Sequence, residues 1–403
     1  MSLSRRAFLA RSAAIGCSAA ASPLFTPVSL AAAPWDTRLV VLILRGGMDA
    51  LDVVQPYGAP EFAGLRAKLP STGKARDLDG YFALHPALSD LMPLWQAGQL
   101  GVVHAVSTPY RDKRSHFDGQ DILEAGTPGL QPGVRSGWLN RMLAHLSGVE
   151  ARTAFAIGHG EMRVLDGGAP VADWSPDADL AMSPQALRLA ELVMQDDPLF
   201  HAALSEALLL TGADAPGILS DAAENDAMAM TATVPRRSRS HLKVATFAAE
   251  QLRGDTRVAS FSINGWDSHA NQTRSLRPAL ERLSQTILAL QSGVGPKIWE
   301  KTAVVAMTEF GRTVRLNGTL GTDHGTGGAM LLAGGAIRGG QVFGRWPGLA
   351  EADLYERRDL MPTADVRGPA AWIMRGLTGL PVSTIERDVF PGLDMGADEG
   401  FLR

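Results

Sequence analysis

The 403-residue chain holds a single cysteine, Cys17, and it falls inside an N-terminal stretch with the character of an export leader. If that leader is removed, the mature chain has no disulfide, no thiolate nucleophile and no cysteine-ligated zinc. Long apolar runs are lacking too. No uninterrupted stretch beyond the leader has the length of a membrane span, so no integral span is expected. Nor is there an excess of basic charge. The net charge is −4, and loss of the leader's three arginines, Arg5, Arg6 and Arg11, leaves −7, which argues against nucleic acid as a partner. No internal repeat is visible, and a mature length of about 370 residues suits one α/β domain with insertions.

Ser4-Arg5-Arg6-Ala7-Phe8-Leu9 fits the twin-arginine pattern, an Ala-rich stretch follows, and Ala31-Ala32-Ala33 offers a small-residue cleavage site. Pro23 and Pro27 break the apolar stretch. The expectation is a signal peptide over residues 1–33, passage through the twin-arginine export machinery, and a periplasmic or secreted mature protein. Cleavage before Cys17 with acylation there is the weaker alternative. Gly16 suits it, but Ala14 stands where a larger aliphatic residue is usual.

Five apolar runs read as buried strands: Arg38 to Leu44, Leu100 to Val106, Arg257 to Ile263, Ala303 to Met307 and Ala329 to Ala333. Ala154 to Ile157 and Gln341 to Phe343 are shorter candidates. Helical spacing marks Leu84 to Gln96, Leu187 to Met194, Leu199 to Leu210, His241 to Leu252, Arg274 to Gln291 and Thr363 to Leu377. Thr211 to Arg239 has weak periodicity, and residues of about 170–240 read as a helical insertion in a single domain spanning 34–403.

Open α/β sheets place their chemistry on the loops after the strands. Gly46-Gly47-Met48-Asp49 closes the first run, and Asp49 either points at a ligand or caps the next segment. After the second come Arg111, Lys113, Arg114, Ser115 and His116. Ser115 is an N-cap or a nucleophile favoured by a helix N-terminus, and His116 a base, a ligand or a bystander. The basic residues there are an anion aid or a solvated loop. Asp267 and His269 follow the next long run, two apart, as a metal-holding pair or as a cap and a hydrogen-bonded histidine. Glu309 and Arg312 end the run after that, and Asp323-His324 precedes the last. His159 and Glu161 are rim or ligand candidates in a Gly-rich turn. Acids or histidines at four strand ends converge on one face of a parallel sheet.

The motifs Arg45 to Asp49, Arg114 to Asp118, Gly265 to His269, Glu309 to Thr313 and Gly321 to Gly325 together resemble the exported bacterial family known as domain of unknown function 1501. That family is more distantly similar to the alkaline phosphatase and sulfatase superfamily. This resemblance implies a three-layer α/β/α sandwich with a mixed, mostly parallel sheet. It also implies one or two divalent ions (zinc, manganese, magnesium or calcium). Asp267, His269 and His324 match ligands of one metal, and Asp49 with Glu309 those of the second. Ser115 matches the nucleophile, and Arg312 or Arg114 would clamp the anion. Phe310 stands where a second-metal histidine is usual, so that position would have oxygen ligands only. No Cys-x-Pro-x-Arg segment is present, which argues against a formylglycine sulfatase. The expected function is hydrolysis of a small anionic phosphate or sulfate ester with Ser115 or a metal-bound water as nucleophile, with Ser115, His116 and Arg312 as catalytic residues and Asp49, Asp267, His269, Glu309, Asp323 and His324 around the metal. The alternative is a non-catalytic binding or assembly protein with a structural metal site.

Overall fold

The computed structural model describes residues 35–111, 114–131, 133–158, 162–175 and 240–403. The leader, Cys17, Lys113, His159, Glu161, the helix candidates from Leu187 and Leu199, and the Thr211 to Arg239 stretch lie outside the described residues.

One sheet organises the rest. Its strands are β1 (Arg38–Arg45), β2 (Leu100–Ser107), β3 (Ala154–Ile157), β4 (Ala172–Trp174), β5 (Val258–Asn264), β6 (Thr302–Met307), β7 (Gly328–Ala333), β8 (Val342–Phe343) and β9 (Ala364–Asp365). The order across the sheet is β8-β2-β7-β6-β1-β5-β3-β4, with β9 also on β2. β1 lies between β5 and β6 and runs parallel to both, with Val41 opposite Ser260 and Val305. Only β7 is reversed, antiparallel to β6 and to β2.

The near-continuous apolar sequence of β1 follows from burial on both faces. Val40, Leu42 and Leu44 pack toward α3 (Ser240–Arg253) and α4 (Gln272–Val294). The alternate residues Leu39, Val41 and Ile43 face the opposite layer of α1 (His116–Ala125), α2 (Trp138–Ala144) and α5 (Arg367–Thr378). The fold is thus an α/β/α sandwich with a mixed, mostly parallel sheet. No helix among the described residues is long and apolar enough to cross a membrane.

Two element boundaries differ from expectation for local reasons. Leu84 to Gln96 is not one helix. Ala83–Leu84 joins a small three-stranded sheet with Val54–Gln55 and Arg76–Asp77, and a 3₁₀ turn over Pro86–Leu91 precedes a short helix over Met92–Gln96. Pro86 and Pro93 lack the amide hydrogens that one continuous helix would use. The last long helix begins at Arg367 rather than near Thr363, because Ala364 and Asp365 pair with Val106 and Ser107 of β2.

This topology brings the candidate loops to one edge. Loops after β1, β2, β5 and β6 leave from the carboxyl ends of strands that run in one direction. The reversal of β7 puts its amino end at the same edge, so Asp323 and His324 arrive there just before a strand rather than after one.

Candidate metal centre

Three imidazoles gather at that edge, each from a different piece of chain. His116 is the first residue of α1, whose start is fixed by Ser115: its hydroxyl accepts from Asp118 N at 3.4 Å. His269 comes from the β5–α4 loop and His324 from the loop between β6 and β7. Glycine permits the approach. A Cβ on Gly46 would lie 2.5 Å from Asp267 N, and one on Gly321 would lie 2.2 Å from the His269 carbonyl carbon. Phe310, buried, lies beneath two of the rings, with centroids 5.0 Å from His116 and 5.1 Å from His324.

Each ring is held through Nδ1. His116 Nδ1 is 2.8 Å from Glu309 Oε1, His269 Nδ1 is 3.2 Å from Asp323 Oδ1, and His324 Nδ1 is 2.7 Å from the Arg114 carbonyl oxygen. A carbonyl only accepts, and so does an ionised carboxylate, so Nδ1 donates in all three pairs and each neutral ring turns the lone pair of Nε2 outward. Those Nε2 atoms converge. They lie 3.5 Å (His116), 3.1 Å (His269) and 3.6 Å (His324) from Asp267 Oδ1, and the His269 and His324 Nε2 atoms are 2.9 Å apart. His116 Nε2 is buried and has no hydrogen-bond partner. Among the described residues, His116, Asp267 and His324 form one group whose donor atoms all lie within 4.8 Å of one another. His269 adjoins it.

The electrostatics agree for the three carboxylates and for His324. Burial penalises the Asp267 charge, but a hydrogen bond and the positive charge of Arg312 outweigh it and hold the carboxyl below its usual range. Burial also opposes ionisation of Glu309, which hydrogen bonds from His116, Gln120 and Gly46 overcome, so it too titrates low. Asn317, and then His269, keep Asp323 low. The hydrogen bond to Glu309 raises His116, while burial lowers His324 and favours its neutral form. Lone pairs and a carboxylate oxygen facing one another in a half-shielded site form a donor set for a cation. Nitrogen donors with one carboxylate suit zinc better than calcium, magnesium or manganese.

The remaining candidates have other duties. Glu309 and Asp323 hold His116 and His269 from behind, the position of the outer acceptor that fixes a ligating histidine's tautomer. Glu309 is fully buried and its oxygens also accept from Gly46 N, Gln120 Nε2 and Thr308 Oγ1, at 2.9, 3.1 and 2.9 Å. Asp49 stands apart. It caps the short helix Ala50–Val53, accepts from Leu51 N at 3.0 Å, pairs with Arg66 at 3.2 Å and takes a hydrogen bond from Gln272. Both carboxylates that the resemblance placed at an oxygen-ligand position thus already accept hydrogen bonds from the protein. Arg312 is no open clamp: it is buried and donates to Asp267 Oδ1 at 2.8 Å and to Thr322. Arg114 likewise turns its guanidinium to Glu356, at 3.2 Å.

Several contributors were not singled out in the sequence. Gln120 sits four residues after His116 on α1, and that helical spacing could have marked it as sharing the face that meets Glu309. Asp359, in the C-terminal part of the chain, has no such signal. Fully buried, it accepts from Thr326 Oγ1 and Arg358 Nη1, both at 2.9 Å, and lies 3.8 Å from Arg114. Arg358 also donates to the His324 carbonyl at 3.0 Å, and the Arg114 carbonyl, set by a left-handed φ of 53°, receives His324 Nδ1. One buried acid thus anchors both residues that grip His324.

The same loops carry the kinship. The family described as "Protein of unknown function (DUF1501)" matches residues 105–367, about two thirds of the chain. The chain belongs to the DUF1501 family. Four of the five motifs lie in the matched segment; Arg45 to Asp49 precedes it. No curated protein matches this sequence. Among solved structures, Ps i-CgsB in complex with k-i-k-neocarrahexaose is 10% identical, with 88% of this chain and 74% of that one covered and a TM-score of 0.39. The lipoteichoic acid synthase LtaP from Listeria monocytogenes is 9% identical over 89% and 76%, with a TM-score of 0.40. A TAB5 alkaline phosphatase with Mg bound is 11% identical over 74% and 91%, with a TM-score of 0.32. Likeness at this level is too faint to define chemistry, so the functional reading of this DUF1501 chain rests on its own residues.

Proposed function

We propose that the chain is an exported metal-dependent hydrolase of phosphate or sulfate esters. The observation that carries the reading is the convergence of three Nδ1-anchored imidazoles on Asp267, with His116 Nε2 left without a partner. His116, Asp267 and His324 would hold one divalent ion, with His269 as a further donor. Bound there, such an ion would neutralise the charge on an ester's oxygens and polarise its central atom.

The chain's own residues supply the rest. Glu309, Asp323 and the Arg114 carbonyl keep the Nδ1 protons in place, so the donor nitrogens stay aimed. Arg312 fixes Asp267 and keeps it ionised. Ser115, at the helix start beside His116, is the proposed nucleophile, with water as the alternative. The Ser115 oxygen would attack phosphorus or sulfur while its proton passes to the departing alcohol oxygen, leaving a seryl ester that water then hydrolyses to restore the hydroxyl. The dipole of α1 favours the negative charge that develops there.

Elemental mass spectrometry on the wild type and His324→Ala tests this first. About one equivalent of metal per chain, lost in the variant, supports the site and justifies an ester screen with that metal. If the purified protein holds no metal and takes up none from zinc, manganese, magnesium or calcium, the reading is wrong. One observation favours a second reading, a binding or assembly protein with a structural ion: Asp49 and Glu309 are engaged elsewhere, which leaves a single metal position among the described residues. Asp267→Asn separates the two. Loss of turnover with the fold intact supports catalysis, and loss of folding supports the structural role.

A further inference from the structure

Most guanidinium groups that this fold shields from water have their charge met. Arg66 pairs with Asp49 and Asp52, Arg312 with Asp267, and Arg45 with Glu124 at 2.7 Å. Arg141 has no acid beside it but donates to the carbonyls of Ala125, Ser136, Asp388 and Val389. Arg282, on α4, differs. Its hydrogen bond runs from Nη2 to the Asn264 carbonyl at 2.9 Å, its buried Nε has no partner, and no carboxylate among the described residues pairs with it. Burial alone acts on its pKa, and lowers it. A partly desolvated cation with an unpartnered Nε and no counter-charge among the described residues is destabilising unless something binds it.

The space in front of it is shaped to admit a ligand. Arg282 borders a cavity of about 150 Å³ whose polar lining also includes Ser240, His241, Ser262 and Asn264. Ser262 Oγ accepts from Arg45 Nε at 2.8 Å, so a second guanidinium stands behind that wall. The cavity lies at the carboxyl ends of β3 and β5, on the edge that carries the candidate centre. Gly265, with φ of 102°, passes so close that a Cβ there would be 2.6 Å from Arg282 Nη2, and Asp267 follows two residues later.

We infer that this cavity is an oxyanion site in which the fork of Arg282 binds a carboxylate, sulfate or phosphate group. The inference rests on the ester-hydrolase reading for its purpose: the oxyanion is a second acidic group of the substrate, held beside the centre while the ester is presented to it. A planar guanidinium with a single hydrogen bond keeps N–H groups on its terminal nitrogens for the oxygens of such a group.

Isothermal titration with inorganic sulfate, at ionic strength balanced with chloride, tests the site on the full purified chain. The wild type should bind about one equivalent, and Arg282→Met should weaken binding by about tenfold or more, the usual worth of a charge-assisted pair. Arg282→Lys keeps the charge without the fork and should fall between them, which guards against a misfolded Met variant. His324→Ala should bind sulfate as the wild type does. Equal binding by wild type and Arg282→Met, no binding by the wild type, or loss only in His324→Ala would each overturn the inference. Metal content measured on the same preparations reads the hydrolase separately. Sulfate binding without metal removes the hydrolase and leaves the oxyanion site, and metal without sulfate binding does the opposite.

Discussion

Two acid-bearing regions flank the end of β1, and they have opposite fates. Around Asp49, two carboxylates meet Arg66 and Gln272 in a closed network. Asp52 pairs with Arg66 at 2.8 Å, and Gln272 donates to both acids while accepting from Thr322 at 3.0 Å. Around Asp267, the donors face one another, the side chain is 46% exposed, and one buried imidazole nitrogen has no partner. The first region has met all its needs internally and is built for stability. The second leaves donor atoms facing one another, with His116 Nε2 lacking a partner of its own. Residue type at a strand end therefore says little about role; whether the lone pairs are already used says much more.

The largest expected effect tests the closed region. Asp49→Ala should cost about 3–5 kcal/mol in urea unfolding, because Arg66 and Gln272 lose a buried partner. A loss under about 1 kcal/mol would erase the contrast between the regions. Next in size is acid sensitivity. His104 sits beneath the same segment, with Nε2 donating to the Val54 carbonyl at 3.1 Å, and burial lowers its pKa to about 4. The unfolded chain takes up this proton below about 6.5 while the folded one resists it. His104 should thus contribute fully above that pH, and about 3 kcal/mol should fade as the pH drops toward 4. Flat stability across that window would exclude a buried neutral imidazole.

At the open region the effects should fall on binding rather than folding. Glu309→Gln keeps an acceptor for His116 but removes its charge, so metal affinity should drop about 10–100-fold in competition with a chromophoric chelator. Asp359→Asn should give the smallest change, about tenfold, through Arg114 and Arg358. A cobalt-substituted spectrum altered by that variant, at nearly unchanged melting temperature, would mark a positioning role. An unchanged spectrum and affinity would reduce Asp359 to packing.

Much of this was written locally in the chain. Apolar runs predicted β1, β2, β5, β6 and β7 to within about a residue, since two-sided burial leaves a continuous hydrophobic signature. Ser115 was legible as a cap because its hydroxyl answers an amide three residues away. The gathering of acids and histidines at one edge also followed from strands read in one direction, though the reversal of β7 did not. Failures were local as well: prolines at 86 and 93 outweighed the helical spacing around them.

The sequence by itself determined the sheet, its buried strands and which chemical groups would reach its carboxyl edge, because periodicity and capping act over a few residues. Only the tertiary structure decided which groups would be free. Glu309 meets His116 across 193 residues and Gln272 meets Asp49 across 223. Such contacts leave no mark in local pattern, yet they settle which carboxylates are already satisfied. What stays open, at Asp267 with its three imidazoles and at Arg282, is decided by those distant partners.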